Sequence, residues 1–114
     1  MKWAFIYLLE PDEPERTDTL GTLVSVGVRN VSDAAAVARR LVDEGVELIE
    51  LCGGFGGAGL GAVVDAVQGK VPVGAVFYGV DASAGLQRLF GAKASGYTPA
   101  APLSNRPKDH RRSP

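Results

Sequence analysis

Four apolar, β-rich runs punctuate the chain, and between them the apolar positions shift to helical spacing. The first run, Lys2–Leu9 (KWAFIYLL), is aromatic and branched without polar interruption, which predicts a strand covered on both faces. Residues 10–18, EPDEPERTD, combine a run of charges with two prolines, and predict an exposed loop able to act as a lid. Leu20–Val28 (LGTLVSVGV) predicts a second strand. The period then changes: Ala34, Val37, Ala38, Leu41 and Val42 predict a helix, with Ser32 as its N-cap and Gly45 at the left-handed C-terminal cap. Val46–Cys52 predicts the third strand, Leu60, Val63, Val64 and Val67 a second helix closed by Gly69, and Val71–Tyr78 the fourth strand. Pro72 lies near the start of that strand, where a missing donor is tolerated. Asp81 or Ser83 caps a short third helix through Leu86, Leu89 and Phe90, which ends at Gly91.

These elements predict an α/β fold in a single small domain. The last three strands begin near residues 20, 46 and 71, so strand–helix modules follow one another and favour parallel pairing. The expected order is β-β-α-β-α-β-α: a four-stranded, mainly parallel sheet with three helices, either open or part of a barrel. The domain spans residues 1–91, and residues 92–114 form a Pro, Ser and Arg-rich tail.

Charge sharpens that division. Residues 1–91 carry seven Lys or Arg against twelve Asp or Glu, and residues 92–114 five against one. The acidic body argues against nucleic acid and anionic membranes as partners, and the basic tail reads as a solvated end, His110 included, or an arm that docks on the acidic body or a partner. One cysteine, Cys52, and one histidine exclude an internal disulfide and a Cys-rich metal cage, so no metal and no cofactor is expected, and a reducing cytoplasm is the expected setting. Trp3–Leu9 is too short for a membrane span and lacks a cleavage site, which predicts neither an anchor nor a signal peptide.

Candidate chemistry follows from the rule that ligands collect beyond the carboxyl ends of parallel strands. There the sequence places Glu10, Arg29 and Asn30, Cys52–Gly59, and Tyr78–Asp81. The loop CGGFGGAG has five glycines between Gly53 and Gly59, which serve either close strand–helix packing or backbone approach to a ligand. Its G-x-G-x-x-G spacing, Gly54 to Gly59, does not make a dinucleotide site, because the next strand ends without an acidic ribose ligand. Glu50 is the telling residue: a carboxylate inside the apolar run LIELC is costly to bury without a partner. It reads either as a partner for Arg29 or a cap on neighbouring backbone, or as a general base or hydrogen-bond acceptor for substrate. Period-two geometry sets Glu50 and Cys52 on one strand face. Cys52 reads as a nucleophile or, with no histidine in the body to activate it, as a small apolar residue. Tyr78 reads as a hydroxyl donor or as packing at a sheet end. Trp3, Phe5 and Tyr7, at period two, read as core rather than as a cofactor platform.

The stretch VGVRNVSDAAAVARRLVDEGVELIELCGGFG, residues 26–56, followed by GKVPVGAVFYG, residues 69–79, resembles an uncharacterised family of short bacterial proteins, a domain of unknown function. Its most specific phrase is EGVELIELCGGFG, residues 44–56. The resemblance implies a compact stand-alone α/β domain over residues 2–91 and carries no activity or catalytic residues.

The functional expectation is a small-molecule-binding protein, extended to a cofactor-independent enzyme for proton transfer beside a carbonyl, as in isomerisation or cyclisation. Glu50, Tyr78 and Cys52 are the expected catalytic residues, and Gly53, Gly54, Phe55, Gly56 and Arg29 the ligand-binding ones. A non-catalytic binding module and an assembly protein stand as alternatives, and self-association as a homodimer is expected because a small sheet leaves edges and apolar faces to cover.

Overall fold

A computed structural model of the chain describes residues 1–95, with side chains as far as Gly91. The basic tail beyond Ser95, with His110, lies outside the described residues. Residues 1–77 form one compact unit, and a second begins at Tyr78.

The first unit is a five-stranded mixed sheet with two helices. Its strands are β1 (Trp3–Leu8), β2 (Arg16–Leu20), β3 (Leu23–Val28), β4 (Leu48–Leu51) and β5 (Val73–Ala75), in the spatial order β2-β3-β1-β4-β5. β1 pairs in parallel with both β3 and β4, β4 pairs in parallel with β5, and β2 runs antiparallel to β3 at the edge. The expected four strands are thus five. Arg16–Leu20, read from sequence mostly as loop, forms a hairpin with β3 through Gly21, whose φ is +60°. All five residues of β2 are exposed, so no apolar alternation marks it. Its charges and threonines suit an edge strand that must not pair with other chains.

Of residues 10–18, expected as an exposed loop able to act as a lid, the last three belong to β2 and residues 10–15 are tied down. Arg29 donates to the carbonyls of Pro11 at 3.3 Å and Glu13 at 2.6 Å, and the Glu10 N–H donates to the Glu13 carboxylate at 3.0 Å.

Helix α1 (Ala34–Asp43) follows a one-turn segment, Val31–Asp33, and links β3 to β4; helix α2 (Gly56–Val67) links β4 to β5. The start of α1 is organised by Asn30 and Asp33 rather than by Ser32: the Asp33 carboxylate accepts the Asn30 N–H at 3.1 Å. The expected glycine stop holds, with Gly45 at φ +93° donating to the Val42 carbonyl at 3.0 Å. α2 ends on left-handed Gln68 (φ 53°), one residue before Gly69 (φ 74°).

Both crossovers step in the same direction across the sheet, and parallel crossovers share one hand, so both helices fall on the same face. The core records this. Ala4, Ile6, Val24, Val26, Val28, Ile49 and Leu51 are buried together with Ala34, Ala38 and Leu41 of α1 and Val63 and Val67 of α2. Trp3, Phe5 and Tyr7, in the alternate positions of β1, are only half-buried. They belong to the opposite face, over which the first unit places no helix, so β1 is not covered on both sides by this unit.

In the second unit, a turn at Val80–Ala82 leads into helix α3 (Ser83–Ser95), where the Ser83 hydroxyl donates to the Val80 carbonyl at 2.7 Å. Gly91 (φ 32°, ψ 177°) interrupts α3, and helix resumes to Ser95, four residues past the expected end. No helix among the described residues is long and apolar enough to cross a membrane.

Candidate functional site

Glu50 stands on the open face of the sheet, not in the core. The register sets it beside Phe5 of β1 on one side and Gly74 of β5 on the other. It is exposed, which removes the burial cost the run LIELC suggested. Opposite charges on neighbouring strands commonly pair across a sheet face. Glu50 has an aromatic ring and a glycine for neighbours and makes no hydrogen bond or ion pair among the described residues. A Cβ added at Gly74 would meet nothing within 4 Å, so among the described residues the surface next to the carboxylate is free.

The rest of the face is aromatic and weakly polar. The rings of Phe5 and Tyr7 stack with centroids 6.2 Å apart and an interplanar angle of 18°. Tyr7 leans across β3, where its Cζ would come within 2.9 Å of any Cβ at Gly27. Ser25 lies on the other side of Phe5 from Glu50, and Asp18 beyond it. Asp18 accepts from Arg16 Nε at 2.7 Å. That bond, with the charge behind it, holds the Asp18 carboxyl below its usual range and pushes the Arg16 guanidinium up.

Packing reaches the glycine loop at two of its five glycines, Gly54 and Gly59. A one-turn segment, Gly53–Phe55, follows β4 and leads directly into α2. A Cβ at Gly54 would lie 2.8 Å from Leu8 Cδ1, and one at Gly59 would lie 2.9 Å from Phe55 Cβ and 3.1 Å from Val31 Cγ1. Gly56 has φ +63°, a conformation that favours glycine. Phe55, expected in a ligand site, is buried in the core instead. The N–H groups of Gly53 and Gly54 donate to no protein acceptor among the described residues.

The structure brings fewer of the expected site residues together than the sequence suggested. β4 ends at Leu51, and Cys52, still extended with its N–H on the Ile6 carbonyl at 3.0 Å, turns its side chain to the core and not toward Glu50. Its side chain is half-buried and packs against the core, with Sγ beside Gly54, as a small apolar residue would. Arg29 binds the carbonyls of the 10–15 loop, not Glu50. Tyr78 is exposed and opens the second unit, so the site is built from the first unit alone. Conversely, Phe5, Tyr7 and Ser25 were not among the expected site residues. Their signal was the alternation that sets Ser25 and Glu50 as polar residues within otherwise apolar strands.

Two concave spaces lie elsewhere in the first unit. One of about 530 Å³ runs between the edge strand and α1, lined by Arg16, Thr17, Val26, Asp33, Val37 and Arg40 among others. Another of about 250 Å³ lies between the ends of α1 and α2, with Arg39, Asp43, Asp65 and Lys70. No group of three or more potential metal ligands occurs among the described residues.

A family model matches residues 1–91, nearly the whole described chain, including the phrase EGVELIELCGGFG. The chain belongs to the family of unknown function DUF6506. Membership in DUF6506 supplies no reaction or ligand, and the site rests on its geometry. No curated protein and no solved structure matches the chain.

Proposed function

We propose that the chain binds a small molecule on the open face of its sheet, with Glu50 as the group that accepts a proton or hydrogen bond from the ligand. The observation that carries this is the isolation of Glu50: an exposed carboxylate on a sheet face, with no protein partner among the described residues, between a stacked aromatic pair and open space over Gly74. An apolar or planar ligand body would lie on Phe5 and Tyr7 and present its donor or acidic C–H to Glu50. Where the ligand is a carbonyl compound, Glu50 removes a proton from the adjacent carbon, and the free N–H groups of Gly53 and Gly54 receive the developing oxyanion. No cofactor enters this scheme, and the cytoplasm is the proposed setting. Arg29 and Tyr78 have no part in it, since Arg29 already holds the 10–15 loop.

A binding module without chemistry would use the same face. The two readings separate in heavy water. Carbonyl compounds that bind, identified by ligand-observed NMR, are incubated with the protein in D₂O and their adjacent C–H signals followed. Proton transfer predicts loss of those signals with wild-type protein, slowed by about 10²–10⁴-fold in Glu50→Gln. Binding without exchange, weakened by Glu50→Gln, would identify the non-catalytic module. Ligand-induced shifts confined to the groove around Val26, Val37 and Arg40 would reject the open-face site in favour of that groove.

A further inference from the structure

The charges of the open face do not cancel. Alternation puts Arg16 and Asp18 of β2, Ser25 of β3, Phe5 of β1, Glu50 of β4 and Gly74 of β5 on it. Arg16 Nε and Asp18 Oδ2 lie 2.7 Å apart and neutralise each other. The remaining cations of the first unit are engaged or placed elsewhere. Lys2 donates to the Glu44 carbonyl, Arg29 holds the 10–15 loop, and Arg39, Arg40 and Lys70 line the two concave spaces beside the helices. Among the described residues of the first unit, Glu50 is therefore the one charge of this face without a counterpart.

Beside that charge stand aromatic rings. Trp3, Phe5 and Tyr7 take the successive outward positions of β1, all half-buried, and the planes of Phe5 and Tyr7 are within 18° of parallel. An aromatic face carries the negative part of the ring's quadrupole and attracts a cation within about 6 Å of the centroid. Neighbouring strands lie about 4.8 Å apart, so a cation held by Glu50 has the Phe5 ring within reach. Carboxylate and ring thus favour the same sign of charge at the same place.

Resting on the Glu50 site proposed above, we infer that its ligand is an organic cation: a protonated amine on a flat apolar body. The ammonium donates its hydrogen bonds to Glu50 over the open ground at Gly74, and the body lies along the aromatic row of β1. A ligand carboxylate would meet Glu50 as a like charge with no free cation of this face to offset it. A neutral ligand would cover the carboxylate and leave its charge uncompensated. No group of three or more potential metal ligands surrounds Glu50 among the described residues, so the donor set suits an organic cation rather than a metal ion.

The test titrates the full ¹⁵N-labelled chain with three probes of similar shape and different charge: phenethylammonium, phenethyl alcohol and phenylpropionate. The backbone amides of Phe5, Glu50 and Gly74 report the site. Phenethylammonium is expected to shift them with an affinity at least about tenfold above that of the alcohol, the worth of one hydrogen bond to a charged group. Phenylpropionate is expected to bind most weakly. Glu50→Gln, at an exposed position, should bring the ammonium down to the affinity of the alcohol. Phe5→Leu should weaken the ammonium at least about twofold by removing the ring face. Asp65→Asn removes an exposed carboxylate of α2 away from the face and should leave the ammonium affinity as it is. Far-ultraviolet circular dichroism establishes that each variant is folded, and should Phe5→Leu fail to fold, Glu50→Gln against Asp65→Asn carries the test. Equal affinities of ammonium and alcohol at these amides, or tighter binding of phenylpropionate, would overturn the cationic ligand and leave the open-face site standing. Equal losses in Asp65→Asn and Glu50→Gln would overturn it as a general attraction to an acidic surface. No shift of these amides by any probe would overturn the cationic ligand and the open-face site together.

Discussion

The two faces of this sheet are made by alternate residues of the same strands, yet they differ in almost every physical respect. Ala4, Ile6, Val24, Val26, Ile49 and Leu51 point toward two helices and are buried, with no polar side chain buried among them. One residue away in each strand stand Phe5, Ser25 and Glu50, half-buried or exposed, with an aromatic stack and a carboxylate that has no partner among the described residues. Burial of the first set supplies the stability of the unit, because apolar area removed from water is the dominant favourable term in folding. The second set contributes less to the fold and is correspondingly free to be shaped by binding. Glu50 and its neighbour Leu51 mark the boundary between the two demands.

The largest effect should come from the covered face. Ile6 is 0% exposed at the centre of the core, so Ile6→Ala should cost about 2–5 kcal/mol. Ser25→Ala on the open face should change stability by no more than about 0.5 kcal/mol. Denaturant unfolding of both variants checks the pair, and a comparable loss in each would erase the distinction between the faces.

A second contrast lies within the glycine loop. Gly59→Ala drives a methyl against the stiff Cβ of Phe55 and should cost about 1–2 kcal/mol after the gain in helix propensity is set against it. Gly57 faces open space, and Gly57→Ala should stabilise by about 0.5 kcal/mol. Thermal melts of opposite sign would show that Gly59 is glycine for packing. Tolerance of Gly59→Ala would return that glycine to a ligand role.

The smallest effect belongs to the edge strand. Asp18 has its carboxyl lowered by the hydrogen bond and charge of Arg16. A lowered carboxyl contributes stability that is present above its unfolded value, near 4, and is lost as the pH falls through the lower folded value. Asp18→Asn should therefore reduce stability slightly at neutral pH and converge on wild type in acid, with the difference diminished by salt because both side chains are about half exposed. Melts from pH 7 down to pH 2 check the sign.

Much of the fold could be read locally. The AAAVARRLVD helix with its Gly45 stop and the strand around LIEL are where the periodicity set them. β2 escaped because RTDTL carries no apolar alternation, and an edge strand needs none. The face of Glu50 escaped for a different reason. LIELC looks buried on both sides until the strand order is known, and only that order shows both crossovers turning the same way and leaving one face without a helix of the first unit. The five glycines had two readings in the sequence, and contacts from Leu8, Phe55 and Val31, two of them distant along the chain, favour packing at Gly54 and Gly59. Cys52 kept its extended backbone and its bond to β1 but packs its side chain against the core, away from Glu50.

The division of labour between the faces is tested most directly at Glu50 itself, by measuring the melting temperature and the ligand affinity of Glu50→Gln in the same preparation. The amide keeps the shape of the side chain and removes its charge and basicity. The expected result is a melting temperature within a few degrees of wild type, as for a surface substitution, together with loss of binding or turnover. A folded Glu50→Gln protein with undiminished affinity and activity would contradict the assignment of function to the open face.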